Sequence, residues 1–438
     1  MPSTPVTSRG EPVVPRTRDV SPVDDVHEAL PAWPVLALLW GFPVFWLLGA
    51  TVIAGVGLTV VMLSYLAHHR AVRLVPGVYA FTAFVVWVVP CVIMIDSASR
   101  LMGYAYRFSI LLIVGTAFVY TISAGSRLSR RQIVNGLTFV WFFTIVGGVA
   151  ALLIPEVRLT TPVGALLPHG LSSNEYVRDL FFPPMAEIQH PFGAPAEFVR
   201  PSAPFPYANS WGVAIVLLTP VAVACFLQAR ARLLRVAVVV GLTAMIAPAM
   251  ATGNRGMFAG LVLAAVYVVV RLAFRDRAAP VLAIAALGVV GAVVLVGNGL
   301  LKQIQTRQEF GDSSGTRFSL YDETFQRTLQ SPLLGHGAPR PSVSEPLVSA
   351  GTQGYIWMLM FSFGFVGLAL FVTFLWGTTL RTWRAPGDID IVLHSVLVVA
   401  SVIIAVYGLD IMQMLAIMLV AAVLLRRRYG LDTAETGG

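Results

Sequence analysis

PAWPVLALLWGFPVFWLLGATVIAGVGLTVVMLSYL, residues 31–66, holds no charged side chain over roughly 36 positions, against the ~20 apolar residues that one helix needs to cross a bilayer. The stretch therefore predicts two tightly connected spans with a turn near Gly49. Further apolar runs follow at 75–95, 108–124, 133–154, 207–228, 236–252, 256–273, 279–299, 354–379, 391–407 and 410–425. Together they predict an all-α polytopic membrane protein of about twelve transmembrane helices. The totals point the same way, with 57% hydrophobic residues, 12% charged residues and a mean hydropathy of +0.78. A soluble protein of this size needs far more charge. Cys91 and Cys225 both fall inside apolar runs, so they read as packing residues rather than a disulfide framework.

Basic residues number 30 against 22 acidic ones, and Lys302 is the sole lysine. Arginine favours bidentate contact with phosphate, although a GC-rich genome produces the same bias. Most of this charge lies in short loops between apolar runs, which excludes nucleic-acid binding as its purpose. Alternate loops carry Arg70 and Arg73, then Arg127, Arg130 and Arg131, Arg230, Arg232 and Arg235, Arg271, Arg275 and Arg277, and finally Arg381 and Arg384, with Arg426, Arg427 and Arg428 after the last run. Arginine-rich short loops mark the cytoplasmic side. Both termini are therefore expected inside, and two large loops, about 155–206 and 300–353, outside. Residues 1–30 read as a disordered cytoplasmic tail without signal-peptide features, residues 31–426 as the transmembrane domain, and 427–438 as a second cytoplasmic tail.

Ten prolines between Pro155 and Pro206 rule out a long helix or central strand in the first external loop. The second contains GTRFSLYDETFQRTLQSPLLGHG, residues 315–337. Phe318, Tyr321, Phe325 and Leu329 recur there at helical spacing, predicting a short amphipathic helix between 316 and 330. Arg317, Glu323 and Arg327 fall on its other side, and Pro332, Gly335 and Gly337 end it. Two readings stand: a surface helix with its polar side toward a substrate, or a lid over helix ends. The sequence carries no metal-ligand spacing, no phosphate-cradling glycine loop and no nucleophile elbow.

Arg255, in ATGNRGMFAG, lies where two spans meet with almost no loop. A guanidinium within a bilayer costs about 2.5 kcal/mol or more unless it snorkels or finds a partner, and either snorkelling or a phosphate partner answers that cost. Arg200 opens RPSAPFPYANSWG at the start of another span. Tyr207 and Asn209 there suit sugar binding or an aromatic belt, and Trp211 suits the belt. Arg317 reads as an anion contact or a solvated charge. External groups able to move a proton are His336, His169, His190, Glu309, Asp312, Asp322, Glu323 and Glu345. His336, in LLGHGAP, reads as either a base or a turn residue.

In their order, these landmarks resemble the O-antigen ligase and polymerase superfamily of bacterial envelope proteins. RPSAPFPYANSWG, GNRG, SPLLGHG and then GYIWMLMFSFGFVGLALF with Gly364 and Gly367 follow one another over about 200–375. The resemblance implies a glycosyltransferase that needs neither metal nor cofactor, in the bacterial cytoplasmic membrane. Its donor would be a polyprenyl diphosphate-linked glycan, and its acceptor a glycan, lipid or protein at the outer face. It implies that Arg200 and Arg255 clamp the diphosphate and that Arg317 helps position it. One departure stands out: a histidine usual at the start of the span after the large loop is replaced by SAGTQGYIW, with Thr352 and Gln353 near its place. His336 or a loop carboxylate would then activate the acceptor, with Gln353 beside the substrate. A secondary transporter and an inactive scaffold of the same fold are the alternatives. Transporter sites lie near the midplane, whereas the polar residues here cluster outside.

Overall fold

The computed structural model describes residues 30–167, 175–190, 197–275, 297, 313–344 and 348–432. The expected N-terminal tail, nearly all of the apolar run at 279–299, and His169, Glu309, Asp312 and Glu345 lie outside the described residues.

The 31–66 stretch folds as α1 (Trp33–Trp40), α2 (Phe42–Leu48) and α3 (Thr51–His68). Gly49, at φ 72°, closes α2 in the left-handed conformation that glycine adopts without strain. The chain therefore turns where expected. Next come α4 (Pro76–Val88), a 3-10 extension Val89–Met94, α5 (Ala98–Ser123) and α6 (Arg130–Leu153). The apolar run placed the start of α5 at 108, but the helix begins at Ala98. Its early polar turns are stable because their charges are satisfied. Arg100 pairs with Asp96 and donates to the carbonyls of His336, Ala338 (2.9 Å) and Pro339 (3.4 Å), and Arg107 donates to the Gly103 carbonyl at 3.0 Å. Hydropathy alone cannot register that compensation.

The proline-rich loop forms α7 (Pro162–Ala165), α8 (Glu175–Phe181) and an antiparallel pair, β1 (Ala186–Gln189) with β2 (Phe198–Pro201), in which Glu187 faces Arg200. The bundle continues with α9 (Ala208–Gln228), α10 (Arg232–Ala244), α11 (Ile246–Thr252) and α12 (Arg255–Ala273). After the external helix α13 (Ser313–Leu329) and the short pair β3 (Arg340–Pro341) and β4 (Ser349–Ala350) come α14 (Tyr355–Arg381), α15 (Asp388–Ile403) and α16 (Ile411–Arg428). Among the described residues, 8 helical segments are long and apolar enough to cross a membrane: Thr51–His68, Pro76–Met94, Ala98–Ser123, Arg130–Leu153, Ala208–Gln228, Arg232–Thr252, Arg255–Ala273 and Tyr355–Arg381. The other apolar runs fall on α1–α2, α15 and α16.

Every residue of α16 from Ile411 to Arg426 is buried. A helix apolar on all sides belongs at a bundle centre, and α16 packs there against α5, α9 and α15. Its one buried charge, Arg426, is compensated by Asp432 and by the Leu128 carbonyl at 2.6 Å.

α14 is broken at Gly364, whose φ of 70° and ψ of −177° lie outside the helical region. Residues 331–337, SPLLGHG, dock into the break. Phe365 N–H donates to the Pro332 carbonyl (2.8 Å), while the amides of His336 and Gly337 donate to the carbonyls of Phe361 and Ser362, both at 2.8 Å. The Trp87 indole donates to the Phe363 carbonyl at 3.1 Å. Backbone groups freed in an apolar setting need such partners. SPLLGHG and Gly364, which the sequence presents as separate landmarks, are two halves of one joint.

Candidate active site

α13 is amphipathic as expected, and its orientation follows from its burial. Phe318 (72% exposed), Phe325 and Leu329 face away from the protein, while Leu320, Thr324 and Thr328 are docked. Tyr321, expected on the apolar stripe, instead turns inward, stacks on Trp357 with ring centroids 4.3 Å apart, and donates to the Gln353 carbonyl at 3.1 Å. An outward apolar stripe suits a helix resting on lipid. Two charged residues of α13 face the protein, whereas Asp322 and Gln326 are exposed: Glu323 pairs with Arg327 at 2.8 Å and accepts from Ser342, Val343 N–H and Ser344. Burial raises the Glu323 pKa, but those donors outweigh it and bring it down to about 2.

The GNRG step is a helix joint with a role for each residue. Gly253, at φ 56°, ends α11 in the left-handed region. Asn254 caps α12, its Oδ1 accepting from Met257 N–H at 3.0 Å. Gly256 leaves room for the Tyr407 ring, since a Cβ there would overlap the phenol oxygen. Tyr407, from the connection between α15 and α16, donates to Asn254 Oδ1 at 2.5 Å.

From Asn254 the network runs back to the first external loop. Asn254 Nδ2 donates to Asn209 Oδ1 at 3.4 Å, and that oxygen also accepts from Arg200 Nη2 at 3.0 Å. Arg200, only 3% exposed, donates Nε–H to the Thr252 carbonyl and pairs through Nη1 with Glu187, both at 3.0 Å. Glu187 in turn accepts from the Ala208 N–H at the start of α9 at 3.3 Å. Arg200 is thus built into the framework. Arg255, by contrast, is exposed at the first turn of α12, and Arg317 is half-buried on α13. Neither has a hydrogen bond or ion pair with any of the described residues.

Tyr407 ties the three together: its phenol interacts electrostatically with Arg317, Arg200 and Arg255. Arg200 and Arg255 are linked to Tyr407 through Asn209, Asn254 and the GNRG joint, and Arg317 is a further charged neighbour of the phenol. Arg255 also sits at the positive end of the α12 dipole, which adds to its own charge. Tyr207 is partly exposed at the N-cap of α9, two residues before Asn209, and Gln353 is half-buried beside Tyr321.

Other expected residues lie elsewhere. His336 is buried, its ring 4.6 Å from that of Phe361, and its Nε2 is 2.9 Å from the Arg327 carbonyl. Its charged neighbours are Arg340, Arg327 and Arg100, not the three around Tyr407. His190 is exposed near Glu197, 3.6 Å away. Trp211, expected in an aromatic belt, is fully buried and donates to the Thr144 carbonyl at 2.9 Å. Sequence reading missed Tyr407 and Glu187: the first ends an apolar run, and the second is one carboxylate in a proline-rich loop.

Burial, reinforced by Arg340, Arg327 and Arg100, pushes the His336 pKa below its ordinary value, against the opposing pull of the Arg327 carbonyl. An unfolded chain takes up this proton before the folded one does. The contribution of His336 to stability is therefore fully present above its ordinary pKa, near ~6.5, and is lost as pH falls through that value toward the lowered one. Unfolding midpoints should drop as pH falls below about 6.5, and His336→Gln should flatten that drop. Identical pH profiles for the two proteins would remove His336 from the joint's energetics.

Residues 240–372 match the family model described as O-antigen ligase. That segment contains Arg255, Arg317, His336 and Gly364 and leaves out Arg200 and Tyr407. Over it, the chain is similar to membrane glycan ligases and polymerases. No curated protein matches the chain.

Proposed function

We propose, on the premise of this likeness to O-antigen ligases, that the protein transfers a glycan from a polyprenyl diphosphate carrier to an acceptor hydroxyl at the outer face of the bacterial cytoplasmic membrane. What supports the reading is the hydrogen-bonded joint that runs from Tyr407 through Asn254 and Asn209 to Arg200, with Arg255 at its GNRG step and Arg317 as a further charged neighbour of the phenol. The donor's diphosphate lies against Arg255 and Arg317, which have no protein partner among the described residues, while Arg200 holds the wall behind them through Glu187 and Asn209. As the bond from the sugar's anomeric carbon to the diphosphate oxygen breaks, its electron pair leaves with the diphosphate. Guanidiniums already in place stabilise that growing charge. The acceptor oxygen bonds to the anomeric carbon and gives up its proton to a base.

Tyr207 and Gln353 flank the sugar in this reading. His336, buried beneath α13, acts by position: it holds the helix that carries Arg317. The outward stripe of Phe318, Phe325 and Leu329 rests on lipid, where a polyprenyl chain would lie.

Depleting the protein and identifying the lipid-linked species that builds up tests the reading. Accumulation of a glycosylated polyprenyl diphosphate is the expected result. Normal carrier levels together with a defect in solute uptake would overturn it in favour of transport.

A further inference from the structure

The end of the bundle opposite Tyr407 holds a second concentration of guanidinium groups, and it adjoins an apolar groove. α12 runs from Arg255 at the candidate site to Arg271 at this end, and α14 from Tyr355 to Arg381. Leu263, Val266 and Val270 of α12, Phe274 just after it, and Trp383 line a groove of about 720 Å³. A cavity of about 450 Å³ adjoins it, lined by Leu380, Arg381, Trp383, Arg384 and Arg428.

Several arginines nearby are committed to structure. Arg271 lies over the Trp383 ring at 4.5 Å, donates to the Trp383 carbonyl at 2.7 Å and holds the Tyr267 hydroxyl at 2.7 Å, which meets His394 at 2.6 Å. Arg275 donates to the carbonyls of Ala385 and Pro386. The loop after α14 is thereby pinned, with Trp383 fixed as a wall. Buried Asp390 takes Arg130 at 3.2 Å and Arg427 at 3.1 Å. Arg381, Arg384 and Arg428 remain, exposed and without a hydrogen bond or ion pair to any described residue.

The geometry points to a binding site for an anionic phospholipid, with its phosphate on Arg381, Arg384 and Arg428 and an acyl chain along the α12 groove. Charge and shape select this ligand jointly. Inorganic phosphate would use the guanidiniums and leave the groove empty, and a zwitterionic lipid would fill the groove but add no net charge to offset three cations. The site lies at the end that arginine-rich loops assign to the cytoplasm, where anionic lipid headgroups attract such residues.

The test is native mass spectrometry of the full chain, delipidated in detergent and titrated with phosphatidylglycerol or phosphatidylcholine. Phosphatidylglycerol should bind preferentially, and added salt should weaken it. Each of Arg381→Gln, Arg384→Gln and Arg428→Gln should weaken it roughly fivefold, and the three together on the order of a hundredfold. Lysine at the same positions should retain most of the binding, and Val270→Trp, which fills the groove, should reduce it without touching a charge. Equal binding of phosphatidylcholine, unchanged binding by Arg384→Gln, or displacement of the lipid by inorganic phosphate would each overturn the assignment. If the triple variant fails to fold, the single substitutions decide.

Discussion

Replacing Arg255 with alanine is expected to cut glycan transfer by roughly 100- to 1,000-fold, the loss typical when one preorganised group is taken from a developing anion. Fold stability should be almost untouched, because the side chain is exposed and has no hydrogen-bond or ion-pair partner among the described residues, and such surface changes typically fall within about 0.5 kcal/mol. A glycosylated lipid carrier should accumulate in cells carrying the variant. Arg255→Lys keeps the charge but loses the planar fork, so it should recover only part of the rate. Normal surface polysaccharide and normal carrier turnover in Arg255→Ala cells would remove this residue from the donor site.

Gly364→Ala is expected to destabilise the protein by about 3 kcal/mol or more. The backbone there, at φ 70° and ψ −177°, occupies a region essentially reserved for glycine. An added Cβ would also overlap the Leu333 carbonyl oxygen, which is backbone and cannot rotate away. Thermal unfolding in detergent reads the effect directly, and proteolysis within 331–337 should become faster. Gly57→Ala supplies the contrast: it lies inside α3 with open space around it, so alanine there should be neutral or stabilising by about 1 kcal/mol. Equal melting of the Gly364 variant and the parent would mean the joint is not what holds α14.

Apolar run length made the helices legible, since burial of a long uncharged stretch follows from composition alone. It failed at α5, where Arg100 satisfies carbonyls from residues 336–339, a partnership no local window contains. The amphipathic pattern of α13 was equally plain, yet Tyr321 left the stripe to stack on Trp357, because aromatic pairing across elements outweighs one position on a wheel. Arg200 and Arg255 stood out as charges at span boundaries, and Arg317 as a charge on the external helix. That Arg200 is locked to Glu187 whereas Arg255 is not depends on the β1–β2 register. Tyr407 gave no signal, since an apolar run ending in tyrosine is ordinary and its significance comes from the glycine it packs against.

The exchange of amide and carbonyl partners between residues 331–337 and the broken α14 also constrains how this protein can be rearranged. Neither half is complete alone: the spanning segment carries bare carbonyls until the external tail of α13 arrives, and that tail leaves the amides of His336 and Gly337 unpaired without it. Chimeras that graft the outer loop of a related protein should therefore fail unless the stretch around residues 361–365 travels with it. Loop diversity in proteins built this way would have to be inherited in matched pairs.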